Sequence, residues 1–287
     1  VGVVLMDLEE TALFAARVAE EAGERILKYF GSNSYRFKSD KSIQSKADLE
    51  SELFISEKIA SEFQDIPILT EERDELPDTT GYLWVCDELD GTTNFVNGQP
   101  TWAISIAVLQ NFEPLVGAIH VPILGETVSA VRGRGTFRKR RDGTRERGRV
   151  RISEFRDFRD IYTFCSWQSN NFVSDLGNIR AFGSTAYHLS QFACGRTAGG
   201  WEVGAKVWDL AAGMLLAREA GGIVRLIDGD DPMERVREKR MECSIRKLTV
   251  RCIFAADLSI YELMRADMVK HSTQWAGLLA IECEKPR

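Results

Sequence analysis

The sequence predicts a mixed α/β protein, and three observations carry that expectation. Between positions 8 and 30 an apolar residue recurs every three or four places, the period of an amphipathic helix. Two short apolar runs, Pro67-Ile68-Leu69 and Tyr82-Leu83-Trp84-Val85-Cys86, read as buried strands that each deliver carboxylates at their ends. Three further apolar runs, 101–109, 115–121 and 127–131, alternate with turn signals, the pattern of an antiparallel meander.

Length and composition bound the rest. A chain of 287 residues suffices for one large domain or two closely packed ones, and 44% hydrophobic with 28% charged residues describes an ordinary soluble protein. A net charge of -6 gives no overall case for nucleic-acid binding. The six cysteines show no C-x-x-C spacing, so neither a disulfide framework nor a zinc site is expected, and only three histidines occur. No apolar run approaches the ~20 residues that span a bilayer. The short apolar opening lacks a basic segment, so it is not read as a signal peptide. A reduced, cytoplasmic setting is the expectation.

In chain order, Asp7 with Glu10 three residues on resembles a capping box, followed by the helix of Leu8, Ala12, Ala15, Ala19, Ala22, Ile26 and Phe30 up to Gly31. Segment 32–46 reads as a loop or hairpin. A second helix is expected from Asp48, with Leu49, Leu53, Ile59 and Phe63 inward. After the meander, the Arg-rich segment 132–151 reads either as a solvated hairpin or as a basic flap that attracts anions. A strand at 161–165 and a helix at 185–193 follow. Asp209 stands near the N-cap of a small-residue-rich helix that ends at Gly221-Gly222. Strands are expected at 223–227 and 248–255, and a helix at 259–268. Segment 228–246 stays ambiguous, and the tail from Lys270 reads as peripheral.

The chemistry concentrates in Asp87-Glu88-Leu89-Asp90-Gly91-Thr92-Thr93-Asn94-Phe95. Carboxylates at a strand end hold hard divalent cations, and free N–H groups at a following helix start hold an anion such as phosphate. That combination points to metal-assisted phosphoryl chemistry. The bland alternative is an acidic surface turn. Glu71-Glu72 repeats the arrangement after the preceding strand, where α/β proteins place ligands, or is a pair of ordinary loop charges.

With Glu71-Glu72, the 87–95 stretch and Trp208-Asp209-Leu210-Ala211-Ala212-Gly213 running to Glu219-Ala220-Gly221-Gly222, in that order, the chain resembles the inositol monophosphatase family of magnesium-dependent, lithium-sensitive sugar phosphatases. The resemblance implies a layered α/β/α/β/α sandwich. Residues 1–150 would form an α+β half with most metal ligands, and residues 151–287 an α/β half with the last ligand and the substrate contacts. It implies two to three Mg2+ ions: one on Glu71, Asp87 and the Leu89 carbonyl, a second on Asp87, Asp90 and Asp209, and a weaker third again using Glu71. Glu71 with Thr92 would orient the attacking water, and Asp90 with Asp209 would lie where the leaving group is activated. Gly91, Thr92 and Thr93 would cradle the phosphate, and Gly183, Ser184, Thr185, Glu202 and Asp209 would line the sugar site. Glu202 is otherwise a solvated strand-end charge.

The function so implied is hydrolysis of a small polyol phosphate, inositol monophosphate first, by a homodimer without membrane or nucleic-acid partners. Alternatives are fructose-1,6-bisphosphate, histidinol phosphate or a 3′-phosphonucleotide as substrate, or a non-catalytic module that binds RNA or a partner through 132–151. Three departures from the family pattern stand out. Glu88 replaces a proline, Lys206 is a cation three residues before Asp209, and the Arg-rich segment replaces an Asn-Gly hairpin.

Overall fold

Two β-sheets with helices between and outside them set the architecture of the computed structural model, which describes residues 6–32, 35–38, 43–73, 81–150, 161–166, 174–240, 243–271 and 282–283. Helix α1 (Leu8–Ile26) begins where the Asp7 carboxylate accepts from the N–H groups of Glu9 and Glu10. Strands β1 (Tyr35–Phe37) and β2 (Ile43–Ser45) form an antiparallel hairpin. Helix α2 (Lys46–Glu62) follows, capped by Ser45 with Asp48 in the reciprocal capping-box position.

The first sheet has seven strands in the order β3 (Ile68–Thr70), β4 (Tyr82–Asp90), β5 (Ala103–Gln110), β6 (Glu113–Val121), β7 (Glu126–Val131), β8 (Gly135–Arg140) and β9 (Arg145–Arg147). Only β3 and β4 run parallel; the rest is the expected meander, and the Arg-rich segment prolongs it as a hairpin. The second sheet runs β11 (Asn178–Arg180), β10 (Ile161–Ser166), β12 (Gly199–Ala205), β14 (Leu248–Ala255) and β13 (Ile223–Leu226), with β15 (Glu282–Cys283) also paired to β14.

Strand periodicity sorts the core into three apolar layers. Trp84 and Cys86 of β4 face α1 and α2, while Leu83 and Val85 face α4 (Thr185–Ala193) and α5 (Val207–Glu219). On β14, Cys252 and Phe254 face α4 and α5 from the other side, while Ile253 and Ala255 face α7 (Leu258–Lys270). The protein is therefore the layered α/β/α/β/α sandwich. Gly117 lets α5 lie directly on the first sheet, since a Cβ there would stand 2.9 Å from the Ala212 carbonyl oxygen.

Several expectations are corrected. Leu49 and Leu53 are 44% and 56% exposed, not inward; α2 turns Asp48, Ser51, Ile55 and Ile59 inside instead. The ambiguous 228–246 segment contains helix α6 (Pro232–Lys239), started by Asp231 and a proline in its first turn. Helix α7 continues to Lys270, and of the tail beyond residue 271 only β15 lies among the described residues. Cys243 is disulfide-bonded, although cysteine spacing had suggested no crosslink; pairing needs proximity in space, not in sequence. Among the described residues no helix is long and apolar enough to cross a membrane.

Candidate active site

Two aspartates three residues apart on a regular strand face opposite sides of the sheet. Strand β4 avoids this with an irregularity: Asp87 pairs with Ser105 but Asp90 with Ala103, so one extra residue is inserted. The inserted residue reverses the alternation. Leu89 then joins the core layer of α1 and α2, and Asp87 and Asp90 both aim towards α4 and α5. The carboxylates thus belong to the strand itself rather than to a turn after it. Gly91 ends the strand at φ 90°, and a Cβ there would meet the Thr101 carbonyl oxygen at 3.1 Å and Ser184 Cβ at 3.2 Å. Helix α3 (Thr92–Val96) is only five residues long, so its macrodipole is slight; what it offers an anion is first-turn N–H groups.

Each acid is aimed by a donor. Asp87 is 1% exposed and accepts from Leu89 N at 3.0 Å. Asp90 Oδ2 accepts from Ser184 Oγ at 2.7 Å and from Ala186 N at 2.6 Å, so the start of α4 holds it. Asp209 is three residues inside α5 rather than at its N-cap, and its Oδ2 accepts from Lys206 N at 2.7 Å. Glu71 follows β3 and meets Lys38 Nζ at 2.7 Å. Arg246, 5.5 Å over the Trp208 ring, donates to the carbonyls of Glu71 (2.9 Å) and Thr70 (2.7 Å), fastening the end of β3 from the second half of the chain.

Electrostatically the acids are frustrated. Burial pushes Asp87 well above the usual carboxylate range, and Glu71, Asp90 and Asp209 push it further. Burial, then Asp90 and Glu71, does the same to Asp209. Burial raises Asp90 to about 6 against the bonds from Ser184 and Ala186. Burial raises Glu88 too, helped by Glu71 and Glu72. Burial works to lower Lys38, but Glu71 and Glu72 outweigh it and the ammonium is held above its ordinary range. The donor set is all oxygen, carboxylates plus the Leu89 carbonyl, which suits a hard divalent cation. The acids do not reach the spacing of a closed three-ligand cluster: among the described residues only Asp175, Asp267 and His271 have ligand atoms all within 4.8 Å.

Sequence reasoning missed Asp48. It is 2% exposed, and its Oδ1 accepts from Thr92 Oγ1 at 2.8 Å, the same hydroxyl lying 3.1 Å from the Leu89 carbonyl oxygen. The signal was its capping-box position after Ser45, which also explains why α2 turns a polar face inward. Ser51 on that face donates to the Glu88 carbonyl at 2.8 Å. A hydroxyl whose proton points at a buried carboxylate presents its lone pairs to a water, so Thr92 and Asp48 form a proton-accepting pair.

Other expected contacts are differently placed. Gly183 adopts φ +75° beside Asn94, whose Nδ2 ties the Thr101 and Phe182 carbonyls at 2.6 Å each. Ser184 joins the acids through Asp90. Glu202 does not face a ligand: it is fully buried, with Oε2 accepting from Thr185 Oγ1 and Oε1 bonded to His188 Nδ1, both at 2.7 Å. His188 Nε2 accepts from Phe182 N at 3.1 Å, which fixes the proton on Nδ1. Glu202 and Thr185 thereby brace the 182–188 segment from behind. Lys206 Nζ donates to the Arg246 carbonyl at 3.1 Å rather than standing out towards a second anion. Glu88 fills the family's proline position as a buried acid accepting from Glu72 N at 3.1 Å. In the Arg-rich hairpin, Arg138 pairs with Glu126 and Glu146, Arg140 with Glu146, and Lys139 with Glu20.

Known proteins share this chain's sequence pattern and fold. The family model described as the inositol monophosphatase family matches residues 7–253. A Nus factor SuhB of Pasteurella multocida is 36% identical over 220 residues, 73% of this chain and 82% of that protein. An inositol-1-monophosphatase of Mesorhizobium japonicum is 32% identical over 228 residues, 76% of this chain and 85% of that one. The crystal structure of the extragenic suppressor protein suhB from Bartonella henselae superimposes with a TM-score of 0.76 at 28% identity, covering 90% of this chain and 98% of that chain.

Proposed function

Because the chain belongs to the inositol monophosphatase family, we propose that it is a magnesium-dependent hydrolase of a small polyol phosphate, inositol monophosphate being the leading substrate. One observation carries the reading: Glu71 and Asp90 lie close enough to Asp87 and Asp209 to push both carboxyls further up than burial alone does. Such a group is stable as anions only around added positive charge. Glu71, Asp87, Asp90, Asp209 and the Leu89 carbonyl are the residues that would hold two to three Mg2+ ions. Bound there, magnesium would supply Lewis-acid stabilisation of the entering and leaving oxygens of the phosphoryl group.

The protein's own groups do the rest. First-turn N–H groups around Gly91, Thr92 and Thr93 bind the phosphate oxygens. Thr92 accepts a proton from the attacking water as it passes its own to Asp48, and Glu71 orients that water from the end of the neighbouring strand β3. Ser184 and Ala186 keep Asp90 in place, and Asp209, held by Lys206 N, faces it across the site. The reading extends to a homodimer in the cytoplasm.

The similarity to a Nus factor supports a second reading, in which the chain engages RNA or a protein partner through residues 132–151. The acid partners of Arg138, Lys139 and Arg140 weaken that hairpin's attraction for phosphates.

The deciding experiment is phosphate release from inositol 1-phosphate, fructose-1,6-bisphosphate, histidinol phosphate and 3′-phosphoadenosine 5′-phosphate, with and without magnesium and with Asp90→Asn as control. Turnover that needs both magnesium and Asp90 supports the phosphatase, and the ranking names the substrate. Folded, magnesium-binding protein without turnover, together with salt-dependent RNA binding lost on neutralising Arg138, Arg140 and Arg141, would replace it with the second reading.

A further inference from the structure

Away from the acids of β4, α7 lies on the outer face of the second sheet, with Ile260, Tyr261, Met264 and Met268 packed on the side opposite α4 and α5. Its last turn carries Asp267 and, four residues on, His271 at the C-cap, so both side chains lie on one helix face. Asp175, just before edge strand β11, reaches the same spot: its N–H donates to Asp267 Oδ1 at 2.9 Å. Ligand atoms of the three residues all lie within 4.8 Å of one another.

We propose that Asp175, Asp267 and His271 form a binding site for one zinc-class divalent cation that staples the segment before β11 to the end of α7. Three observations point to a cation rather than to a finished hydrogen-bond network. First, His271 Nε2 lies 3.6 Å from Asp175 Oδ2 and 3.8 Å from Asp267 Oδ1. Both distances exceed hydrogen-bond length, yet they approach the ~3.3 Å that separates ligand atoms around tetrahedral zinc with bonds of ~2.0 Å. Second, Asp267 is 6% exposed, and its Oδ2 is buried without a hydrogen-bond partner. His271 Nε2 is likewise buried and unpartnered, although it faces both carboxylates. A cation at the centre would engage the orphaned His271 Nε2 together with Asp175 Oδ2 and Asp267 Oδ1, the carboxylate oxygens that lie nearest to it.

Third, the local charge is negative. Two carboxylates meet the carbonyl end of a 13-residue helix, which itself favours a cation. Asp175, with its side chain 53% exposed, leaves the site open to solvent on one side. One imidazole with two carboxylates and a solvent position is a zinc-type donor set; magnesium and calcium favour oxygen alone. Lys270 is the built-in competitor. Its ammonium sits on Asp175 Oδ2, and that same charge holds the Asp175 carboxyl below its usual range. Zinc must displace that contact.

The test uses the full chain in saturating magnesium, so that the acidic cleft is occupied, with histidine nitrogens labelled for NMR. The chain has three histidines. His188 has both ring nitrogens bonded, between Glu202 and Phe182, and His120 has Nδ1 bonded to Thr127, so His120→Gln serves as the background in which the His271 signal is followed. One added equivalent of zinc is expected to shift the His271 imidazole alone. His271→Ala and Asp267→Asn should each bind one zinc fewer. Asp175→Asn, at an exposed position where the fold is not at risk, should do the same. Lys270→Ala should bind zinc more tightly, by a few-fold, because the exposed contact that competes for Asp175 is gone. A His271 signal that responds to pH but not to zinc would overturn the proposal in favour of a plain ion pair. So would an unchanged zinc count in all three ligand variants, or a His271 shift produced by magnesium alone.

Discussion

Asp90→Asn should make the metal-free protein more stable and the magnesium-bound protein less so. The Asp90 carboxyl is raised from 3.8 to about 6, with burial the main cause. A raised carboxylate means that the folded state binds the proton more tightly than the unfolded chain. Its penalty is therefore absent below pH 3.8, grows as pH rises through the window, and is complete above about 6. A shift of that size corresponds to about 3 kcal/mol at pH 7; Asp90 is half-buried, and solvent screening brings this to about 1–2 kcal/mol. Asparagine keeps an acceptor oxygen for Ser184 Oγ and Ala186 N while shedding the charge. In chelator at pH 7 the variant should melt several degrees above wild type, at about 2–4 °C per kcal/mol for a chain near this size. The gain should vanish near pH 4, where the wild-type acid is neutral. In magnesium at ~100 times Kd, wild type gains ~2.7 kcal/mol that the variant largely loses, so the order of melting reverses. Thermal melts in chelator and in magnesium, at pH 7 and pH 4, read all of this. A variant that melts below wild type in chelator at pH 7, or that gains as much from magnesium, would refute the argument.

Other substitutions probe separate links. Gly91→Ala forces a side chain into φ 90° against the Thr101 carbonyl, and should lose about 1–3 kcal/mol of stability with at least a tenfold fall in kcat/KM; melts and kinetics check both. Asp48→Asn leaves Thr92 a bonding partner but removes the proton acceptor, so kcat should fall about 10²–10³-fold with KM little changed. His120 is held down from 6.5 to about 4, chiefly by burial, so the unfolded chain takes up its proton first as pH falls. Stability should drop by up to about 3 kcal/mol from pH 7 to pH 4, and His120→Gln should flatten that slope in denaturant titrations. Glu219 accepts from Gly133 N and Gly135 N at 2.8 Å each, clamping the β7–β8 turn to α5. Glu219→Ala should therefore lower stability by about 2–3 kcal/mol while kcat holds, read by melting and turnover on the same sample.

What the sequence made legible is what depends on local period and motif. The meander, the α1 repeat and the small-residue face of α5 follow from side chains whose partners are set by strand and helix geometry. The residue types and order of 87–95 and Asp209 pointed to one cluster, and the structure brings Asp87, Asp90 and Asp209 near one another. The interior of α2 was not. Leu49 and Leu53 follow the hydrophobic period, yet the site demands Asp48 and Ser51 on the inner face, and tertiary contacts override the apolar pattern. Glu202 was read as a contact or a solvated end because nothing nearby in sequence shows that His188 and Thr185 will enclose it. The bulge that brings Asp87 and Asp90 to one side is likewise invisible until strand β5 supplies the register.

These long-range supports have a common direction. Asp90 comes from the first sheet, but Ser184 and the start of α4 aim it; β3 presents Glu71, but Arg246 near β14 fastens its backbone; Asp209 stands on the helix pressed between both sheets. Asp90 and Glu71 are thus held by donors from other elements, while Asp87 and Asp209 are held by N–H groups of their own strand and helix start. A site built this way cannot form in either sheet alone. Neutralising an acid should leave the scaffold standing, whereas removing a cross-sheet donor should loosen the acids together. Ser184→Ala tests that distinction. Unlike Asp90→Asn it leaves every carboxylate in place, stripping one bond from Asp90 and the cap that Ser184 Oγ gives to Tyr187 N at the start of α4, so the metal-free protein should lose about 1–2 kcal/mol rather than gain. Magnesium affinity should fall with it, because the Asp90 oxygen is no longer held in position. Stabilisation by Ser184→Ala in chelator would show that the donor is dispensable and that repulsion alone sets the geometry.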